Sequence, residues 1–562
     1  MEISNVQVSE ILKFFGQLLE ITGEEQFKIR AYERASETAR RSPVPLVHLS
    51  PKELALLPGI GSNIAAKIIE LGEKGEIAEL EELKRSIPEG LVELLELDGV
   101  GPKTVSKLWK RLGITTITEL EAAARNRRIR ALSGFGAKKE EDIIRAIAAY
   151  RARSSRMDRF SAERIIGTVA SVLTPDTYTV AGSWRRGKST IGDIDIISTE
   201  PPPHLNPRLS RIADEVIEEG DRNTSIRIGG QRIDIRYASP SRYGTMLLYL
   251  TGSKAFNIRL RGIAAMHGWK LNEYGITEKD TGKEHTFRDE PSIFTHLGMA
   301  FIPPELREDH GEVEAALSGT LPELIRREDI RGDLHVHSTW SDGVLSIEEL
   351  AREGEKMGYE YLACTDHSST LGVAGGVGKE ELLRQSHEIE RINRHSSCHI
   401  LSGVEVDIMG DGKLGLPGSV LSDLDIVIAA IHSGFRQEKD LLTRRMIAAV
   451  QHDQVNIIAH PTGRLIGKRE AYAIDLERVI EAARDAGTAL EINASPYRLD
   501  LDSAGIRASV GKGTKLAIGT DAHRTGEMEL ISSGVMTARR GWCRKEDVIN
   551  TLGTSELLEW AA

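Results

Sequence analysis

The chain has 562 residues, too many for one hydrophobic core, so several domains are expected. Its 40% hydrophobic and 28% charged content is that of folded globular protein and excludes extensive disorder. Three widely spaced cysteines (Cys364, Cys398, Cys543) exclude a disulfide framework and fit a reducing compartment. No signal-peptide pattern opens the sequence, and no apolar run approaches the ~20 residues of a membrane helix. A cytoplasmic protein with no membrane contact is therefore expected. The net charge of -11 by itself argues against a nucleic-acid partner. Basic clusters at Arg125–Arg130, Arg151–Arg159 and Trp184–Lys188 interrupt that balance, each most simply a solvated face.

Residues 1–80 carry apolar side chains at spacings of three and four (Ile11, Phe14, Phe15, Leu18, Leu19) and predict helices, which continue to 150 between glycines. From about 170 the period shortens toward strands: Tyr178–Ala181, Asp193–Ile197 and Ile226–Tyr237. The last holds Gly229-Gly230 at its centre and reads as a hairpin. A mixed region runs to about 310, and a charged helical connector is predicted over Glu312–Glu328. From Asp333 onward, short apolar strands alternate with amphipathic helices, the pattern of an α/β barrel or doubly wound sheet.

Leu57-Pro58-Gly59-Ile60-Gly61, Leu97-Asp98-Gly99-Val100-Gly101-Pro102 and, more weakly, Leu132-Ser133-Gly134-Phe135-Gly136 share one form: an apolar residue, a Gly-x-Gly turn and an amphipathic helix. They resemble helix-hairpin-helix DNA-binding motifs. Glycine lets the backbone approach a phosphate while the amides of the next helix point at it, so the sugar-phosphate chain is gripped and not the bases. Gly59, Gly61, Gly99 and Gly101 are the candidate DNA contacts.

Gly182-Ser183-Trp184-Arg185-Arg186-Gly187 followed by Gly192-Asp193-Ile194-Asp195 carries the chemistry of the N-terminal half. On a strand, Asp-x-Asp puts both carboxylates on one face, where they repel unless a divalent cation lies between them. Asp234 is predicted on a neighbouring strand. Three carboxylates around one point suit two magnesium ions that activate a hydroxyl and stabilise a leaving pyrophosphate. Ser183 and Arg186 are placed to hold a triphosphate.

These residues resemble the palm of DNA polymerase beta and the wider polymerase X family. With the helices, the hairpin motifs and Tyr249-Leu250-Thr251-Gly252-Ser253 plus Asn257, the resemblance covers residues 1 to about 310; Asn272-Glu273-Tyr274 matches a thumb segment. It implies that Asp193 and Asp195 bind both metals (Mg²⁺ or Mn²⁺). Asp234 would bind the catalytic one and help deprotonate the primer 3′-hydroxyl. It also implies nucleotide contacts from Ser183, Arg186, Gly192, Tyr249, Gly252 and Asn257. Two departures stand out: the family's Tyr-Phe pair is Tyr249-Leu250, which bears on ribose exclusion, and Ile191 replaces a serine before the Gly-Asp-x-Asp run. The first helices resemble a deoxyribose-phosphate lyase domain, with Lys67 at the Schiff-base position, Lys28 and Tyr32 beside it, and Asn63 where another lysine is common.

Most histidines lie after residue 330, where apolar strands run out. His335 and His337 close one strand and precede Asp342; His367, Glu405, His432, His460 and the pair Asp521 and His523 mark five more. Such placement is the active rim of a βα barrel. These runs resemble the polymerase-and-histidinol-phosphatase (PHP) domain, a distorted seven-stranded barrel, and match all nine of its ligand positions. The resemblance implies three divalent ions; mixed imidazole and carboxylate donors suit Mn²⁺ or Zn²⁺.

The expected architecture is multidomain, α+β and α/β. It comprises a lyase-like helical domain (1–85), a fingers-like helical domain (86–150), a nucleotidyltransferase palm (151–240), a thumb (241–310), a linker (311–330) and a (β/α)7 barrel (331–562). The expected activity is gap filling in base excision repair with 3′→5′ exonuclease trimming, on gapped or primed DNA and dNTPs, by a monomer. The alternatives are a DNA-binding scaffold with an inactive polymerase fold, and a barrel acting as a small-molecule phosphatase.

Overall fold

A computed structural model describes the whole chain except residues 1, 2, 4, 43, 89, 98, 155, 370–375 and 467–468. Asp98 of the second hairpin motif thus lies outside the described residues. Between Asn5 and Ser154 the described residues form helices joined by turns, and these close one apolar core through Phe15, Leu18, Ile68, Leu91 and Leu108. The three Gly-x-Gly turns have one geometry: Gly59, Gly99 and Gly134 sit at φ +82°, +73° and +86°, and the next residue's amide bonds back to the apolar residue, Leu57, Leu97 or Leu132. The first two turns join paired helices, Pro51–Leu56 to Ser62–Lys74 and Gly90–Leu94 to Pro102–Leu112. The third departs from the pattern. The helix before it, Ile117–Arg125, ends well short of the turn, so only its second helix (Ala137–Ser154) is present.

The palm is a five-stranded sheet in the order Tyr178–Val180, Ile194–Ser198, Gln231–Tyr237, Asn223–Ile228, Glu215–Glu219. The predicted hairpin forms across Gly229 and Gly230, both at positive φ. Strand Ile194–Ser198 runs parallel to Gln231–Tyr237 with Asp195 opposite Asp234. The thumb packs helices Tyr243–Thr251, Lys254–Met266 and Glu290–His296 against a small antiparallel sheet. The predicted connector helix is cut short at Ser318 by the left-handed Gly319 (φ +70°). The connector is also not a free spacer. Val313, Ala316 and Leu324 enter the thumb core and Ile325 the barrel core, because burying those apolar side chains outweighs the charged pattern around them.

The C-terminal part is a parallel seven-stranded sheet in sequential order: Gly332–Val336, Tyr361–Cys364, His399–Asp407, Ile426–Ala430, Ile457–Ile458, Ala489–Asn493 and Leu516–Gly519. It is closed by a parallel bridge between Val336 and Ala522, with His337 N donating to Ala522 O at 2.9 Å and Asp521 N to His335 O at 2.9 Å. All three cysteines are buried and unpaired with each other. Among the described residues, no helix is long and apolar enough to cross a membrane.

Candidate active sites

At the palm, Asp195 and Asp234 project side by side from adjacent strands. Asp193 lies one residue before its strand and not on it as predicted, so it reaches the pair from the turn. Burial, then the Asp193 and Asp234 charges, push the Asp195 acid up to about 7. A site that resists its own ionisation in this way fits a divalent cation. Arg232 clamps Asp234 with Nε at 3.0 and 2.9 Å from its two oxygens, and Ser225 Oγ donates to it as well. Strand alternation brings Arg232 beside Asp234, a contact not among the sequence-based expectations. Gly182 sits at φ +59°, and a Cβ there would meet Asp195 Oδ2 at 2.2 Å, so only glycine lets the Ser183–Arg186 loop lie on the acid.

Ser183 Oγ is buried with no hydrogen-bond partner, which leaves its hydroxyl to donate to an anion's oxygen. Arg186 bonds the carbonyl of Thr251 and, through Nε at 3.1 Å, Glu308. The bond to Thr251 joins the loop to the C-terminal end of helix Tyr243–Thr251, where Asn257 Nδ2 donates to Tyr249 O at 2.7 Å. Ser183, Arg186, Tyr249, Gly252 and Asn257 are therefore neighbours; Gly192 flanks the acids against Arg156. The cluster Trp184–Lys188 is not a solvated face. Arg185 pairs with buried Glu290 at 2.7 Å, and Arg186 and Lys188 share Glu308. Ile191 is fully buried in the palm core, so its side chain takes no part in polar contacts.

In the helical domain Lys67 is only 8% exposed, contrary to the expectation for a lysine on an amphipathic helix. It pairs with Glu79, which also takes Lys28 at 3.5 Å, and its Nζ lies 5.6 Å from the Phe15 ring centroid. Tyr32 is buried against the same ring. Lys67, Lys28 and Tyr32 thus converge, whereas Asn63 faces solvent.

At the barrel rim all nine predicted ligands meet. Glu405 is the hub, with an oxygen 2.9 Å from His367 Nδ1, 3.1 Å from His460 Nε2, 3.3 Å from His432 Nε2 and 3.5 Å from His335 Nε2. Asp521 lies 3.3 Å from His337 Nε2, and Asp342 3.3 Å from His523 Nε2. Three groups have donor atoms close enough to share an ion: His337, Asp342, His367 and His523; His335, His337 and Asp521; His367, Glu405 and His432.

Three imidazoles have Nδ1 committed outward, His335 to Glu491 (2.6 Å), His432 to Asp407 (2.9 Å) and His523 to the Asp521 carbonyl (2.8 Å), leaving Nε2 facing the centre. His335 Nε2, both His337 nitrogens and Glu405 Oε2 are buried without hydrogen bonds; His367 Nδ1 lies near Glu405 but is not aligned to bond it. Buried lone pairs aimed at one another are what cations satisfy, so the donor set fits divalent ions. His460 (φ +30°) and Asp521 (φ +56°) are held in strained backbone, at a cost of about 1–3 kcal/mol each, by the bonds His460 N to Glu491 (2.5 Å) and Asp521 N to His335 O. The sequence reading missed Glu491 and Asp407. Their one visible signal is an acid flanked on both sides by apolar residues, Leu490-Glu491-Ile492 and Val406-Asp407-Ile408.

Family models match the DNA polymerase beta palm over 156–227 and thumb over 246–308. Others match a helix-hairpin-helix domain over 3–77, a SAM-like helix-hairpin-helix tandem over 91–149 and a PHP domain over 333–495. The DNA polymerase/3′-5′ exonuclease PolX of Bacillus subtilis is 38% identical, over 97% of this chain and 96% of that protein. The chain belongs to the family X DNA polymerases that carry a C-terminal PHP domain. DNA polymerase lambda of Rattus norvegicus is 25% identical over 54% of this chain and 56% of its own length, and a probable phosphatase of a Thermoanaerobacter species is 31% identical over 39% and 89%. Membership makes the chain a metal-dependent enzyme. The PHP match stops at residue 495, yet Asp521 and His523, both predicted ligands, lie beyond it, just past the end of the closing strand Leu516–Gly519.

Proposed function

We propose that this family X polymerase fills short gaps during base excision repair and trims 3′ ends with its barrel. The observation that carries the reading is that one chain holds two separate clusters of side chains able to ligate cations: Asp193, Asp195 and Asp234 in the palm, and the nine residues around Glu405. In the palm, the three acids hold Mg²⁺ or Mn²⁺; in the barrel, His335, His337, Asp342, His367, Glu405, His432, His460, Asp521 and His523 hold three ions, Mn²⁺ or Zn²⁺. Bound ions supply activated oxygen nucleophiles and neutralise phosphate charge.

The chain's own residues do the rest. Asp234 accepts the proton of the primer 3′-hydroxyl, with Arg232 fixing its carboxylate. Ser183 and Arg186 hold the triphosphate, and Tyr249, Gly252, Asn257 and Gly192 line the nucleotide. Leu250 packs against the apolar cluster of Ala181 and Ile197, so ribose selection falls to Tyr249 and the backbone at the helix end, Thr251 and Gly252. Gly59, Gly61, Gly99 and Gly101 hold the DNA backbone: a Cβ at Gly61 or Gly101 would meet nothing, so glycine there leaves bare amides for a phosphate. Lys67, beside Lys28 and Tyr32, is the nucleophile of an accessory lyase.

The functional division we infer is 1–85, 86–150, 151–240, 241–310, a joining segment 311–330, and 331–562. The working form is a cytoplasmic monomer acting on gapped DNA and dNTPs. Buried free thiols support the reducing compartment.

The test is separation of activities. Asp193→Ala should abolish nucleotide addition on a one-nucleotide gap and leave exonuclease activity; His337→Ala should do the converse. Retained addition in the first variant, or full exonuclease in the second, would overturn the assignment. The resemblance to a probable phosphatase favours a second reading of the barrel as a phosphomonoesterase; rates on a 3′-phosphorylated oligonucleotide and on histidinol phosphate separate the two.

A further inference from the structure

The barrel helix Ile531–Arg540 has two working faces. Ile531, Val535 and Ala538 enter the barrel core, and a Cβ on Gly534 would strike Ile518 at 2.5 Å, so the helix is pressed onto its sheet. The opposite face carries Met536, Arg539 and Arg540, the i, i+3, i+4 spacing of a second stripe, and it meets the polymerase half. Met536 fills the space over Gly187, where a Cβ would come within 2.6 Å of it; Gly187 itself sits at φ +69°.

Arg539 bonds Glu305 at 2.7 Å and the Ile325 carbonyl at 2.9 Å. Arg540 bonds the Arg186 carbonyl and, through Nη2 at 3.2 Å, Glu308. Its side chain is 8% exposed, and those of Arg186 and Glu308 are 12%. Glu308 thereby answers three cations, Arg186, Arg540 and Lys188. Burial alone would raise its acid, yet Arg186, Arg540 and Lys188 hold it below the usual carboxylate range. One carboxylate for three cations leaves local positive charge directly behind the loop that carries Ser183. From the palm side, Arg159 bonds the carbonyls of Trp184 (3.2 Å) and Lys188 (3.3 Å), so three carbonyls of this loop are anchored, the middle one from the barrel.

We propose that Arg540 is a positioning residue for nucleotide addition. Held by the barrel helix, it fixes the Arg186 carbonyl and takes a share of Glu308, which keeps the Arg186 guanidinium from being fully neutralised and leaves it available to the incoming triphosphate. The dNTP site is then built jointly by the two catalytic halves. The inference rests on the reading that Ser183 and Arg186 bind the triphosphate.

The test is steady-state gap filling by the full chain carrying Arg540→Met, which keeps the aliphatic stem and removes the donors. The expected result is a rise of about tenfold in KM for the dNTP with kcat within about twofold, unchanged affinity for gapped DNA and unchanged exonuclease. Arg540→Lys, which keeps the charge beside Glu308 but cannot also hold the carbonyl, should fall between. An unchanged dNTP KM in Arg540→Met overturns the proposal. So does a parallel loss of exonuclease in both variants, which would make Arg540 a structural tie. Arg186→Ala is measured alongside: if it leaves the dNTP KM unchanged, the triphosphate reading fails, whereas a raised KM there with none in Arg540→Met sinks the coupling alone.

Discussion

Glu491 offers the sharpest test of how the barrel aims its ligands. It is 1% exposed, and its two oxygens do different work: Oε1 takes His335 Nδ1 at 2.6 Å, and Oε2 takes the amide of His460 at 2.5 Å and Asn493 Nδ2 at 3.2 Å. Glu491→Gln keeps the volume but offers a single acceptor, so one of these donors must face an NH2 group. Leaving a buried donor unmet costs about 1–3 kcal/mol, and loss of the carboxylate charge weakens the remaining bond further. A total of about 2–3 kcal/mol corresponds to roughly 30- to 160-fold, at the upper end of and beyond the roughly 10- to 100-fold loss typical when groups behind a metal-binding histidine are removed. The assay is 3′→5′ exonuclease rate against Mn²⁺ concentration, with gap filling by the same preparation as control. Half-saturation should move upward by that factor, saturating Mn²⁺ should restore most of the rate, and gap filling should not change. Gly519→Ala should act in the same direction, since its Cβ would lie 2.4 Å from Glu491 Oε1 and 2.5 Å from His335 Cβ. Exonuclease of Glu491→Gln saturating at the wild-type Mn²⁺ concentration would refute the reasoning.

Three further outcomes are expected. Glu290, 2% exposed between Arg307 and Arg185, ties the thumb to the palm loop; Glu290→Ala strands a fully buried guanidinium and should cost about 3 kcal/mol in chemical denaturation, and an unchanged midpoint would contradict it. Because the Asp195 acid is raised to about 7, the metal-free fold holds a proton the unfolded chain releases near pH 4. This contribution to stability is present at low pH and is lost as pH rises toward 7. Mg²⁺ must displace the same proton, so its apparent affinity in gap filling should fall about tenfold per unit below pH 7 and level off above pH 8; a flat profile would disprove the link. Borohydride reduction on an incised abasic site should trap the wild-type chain and not Lys67→Ala; equal trapping would remove Lys67 from the lyase role.

What the sequence disclosed follows from the range of each interaction. A strand's period of two and the end of an apolar run are local facts, so the placement at the barrel rim of His335, His337 and the other seven predicted ligands could be read at once, as could the turn geometry at Gly59 and Gly99. Glu491 could not, since its partner His335 is 156 residues away and the strand around it reads as ordinary core. The connector misled for a related reason. Its charges suggested a solvated helix, but Val313, Ala316, Leu324 and Ile325 find apolar partners in two separate cores. The basic run Trp184–Lys188 is the clearest case. Each of its cations is matched by an acid more than a hundred residues away, Glu290 for Arg185 and Glu308 for Arg186, and the run's backbone is held by an arginine from the other catalytic half. A charge run read along the chain is therefore ambiguous between a surface and a buried network. Only the positions of the opposing carboxylates decide, and these are set by how the thumb and barrel close on the palm.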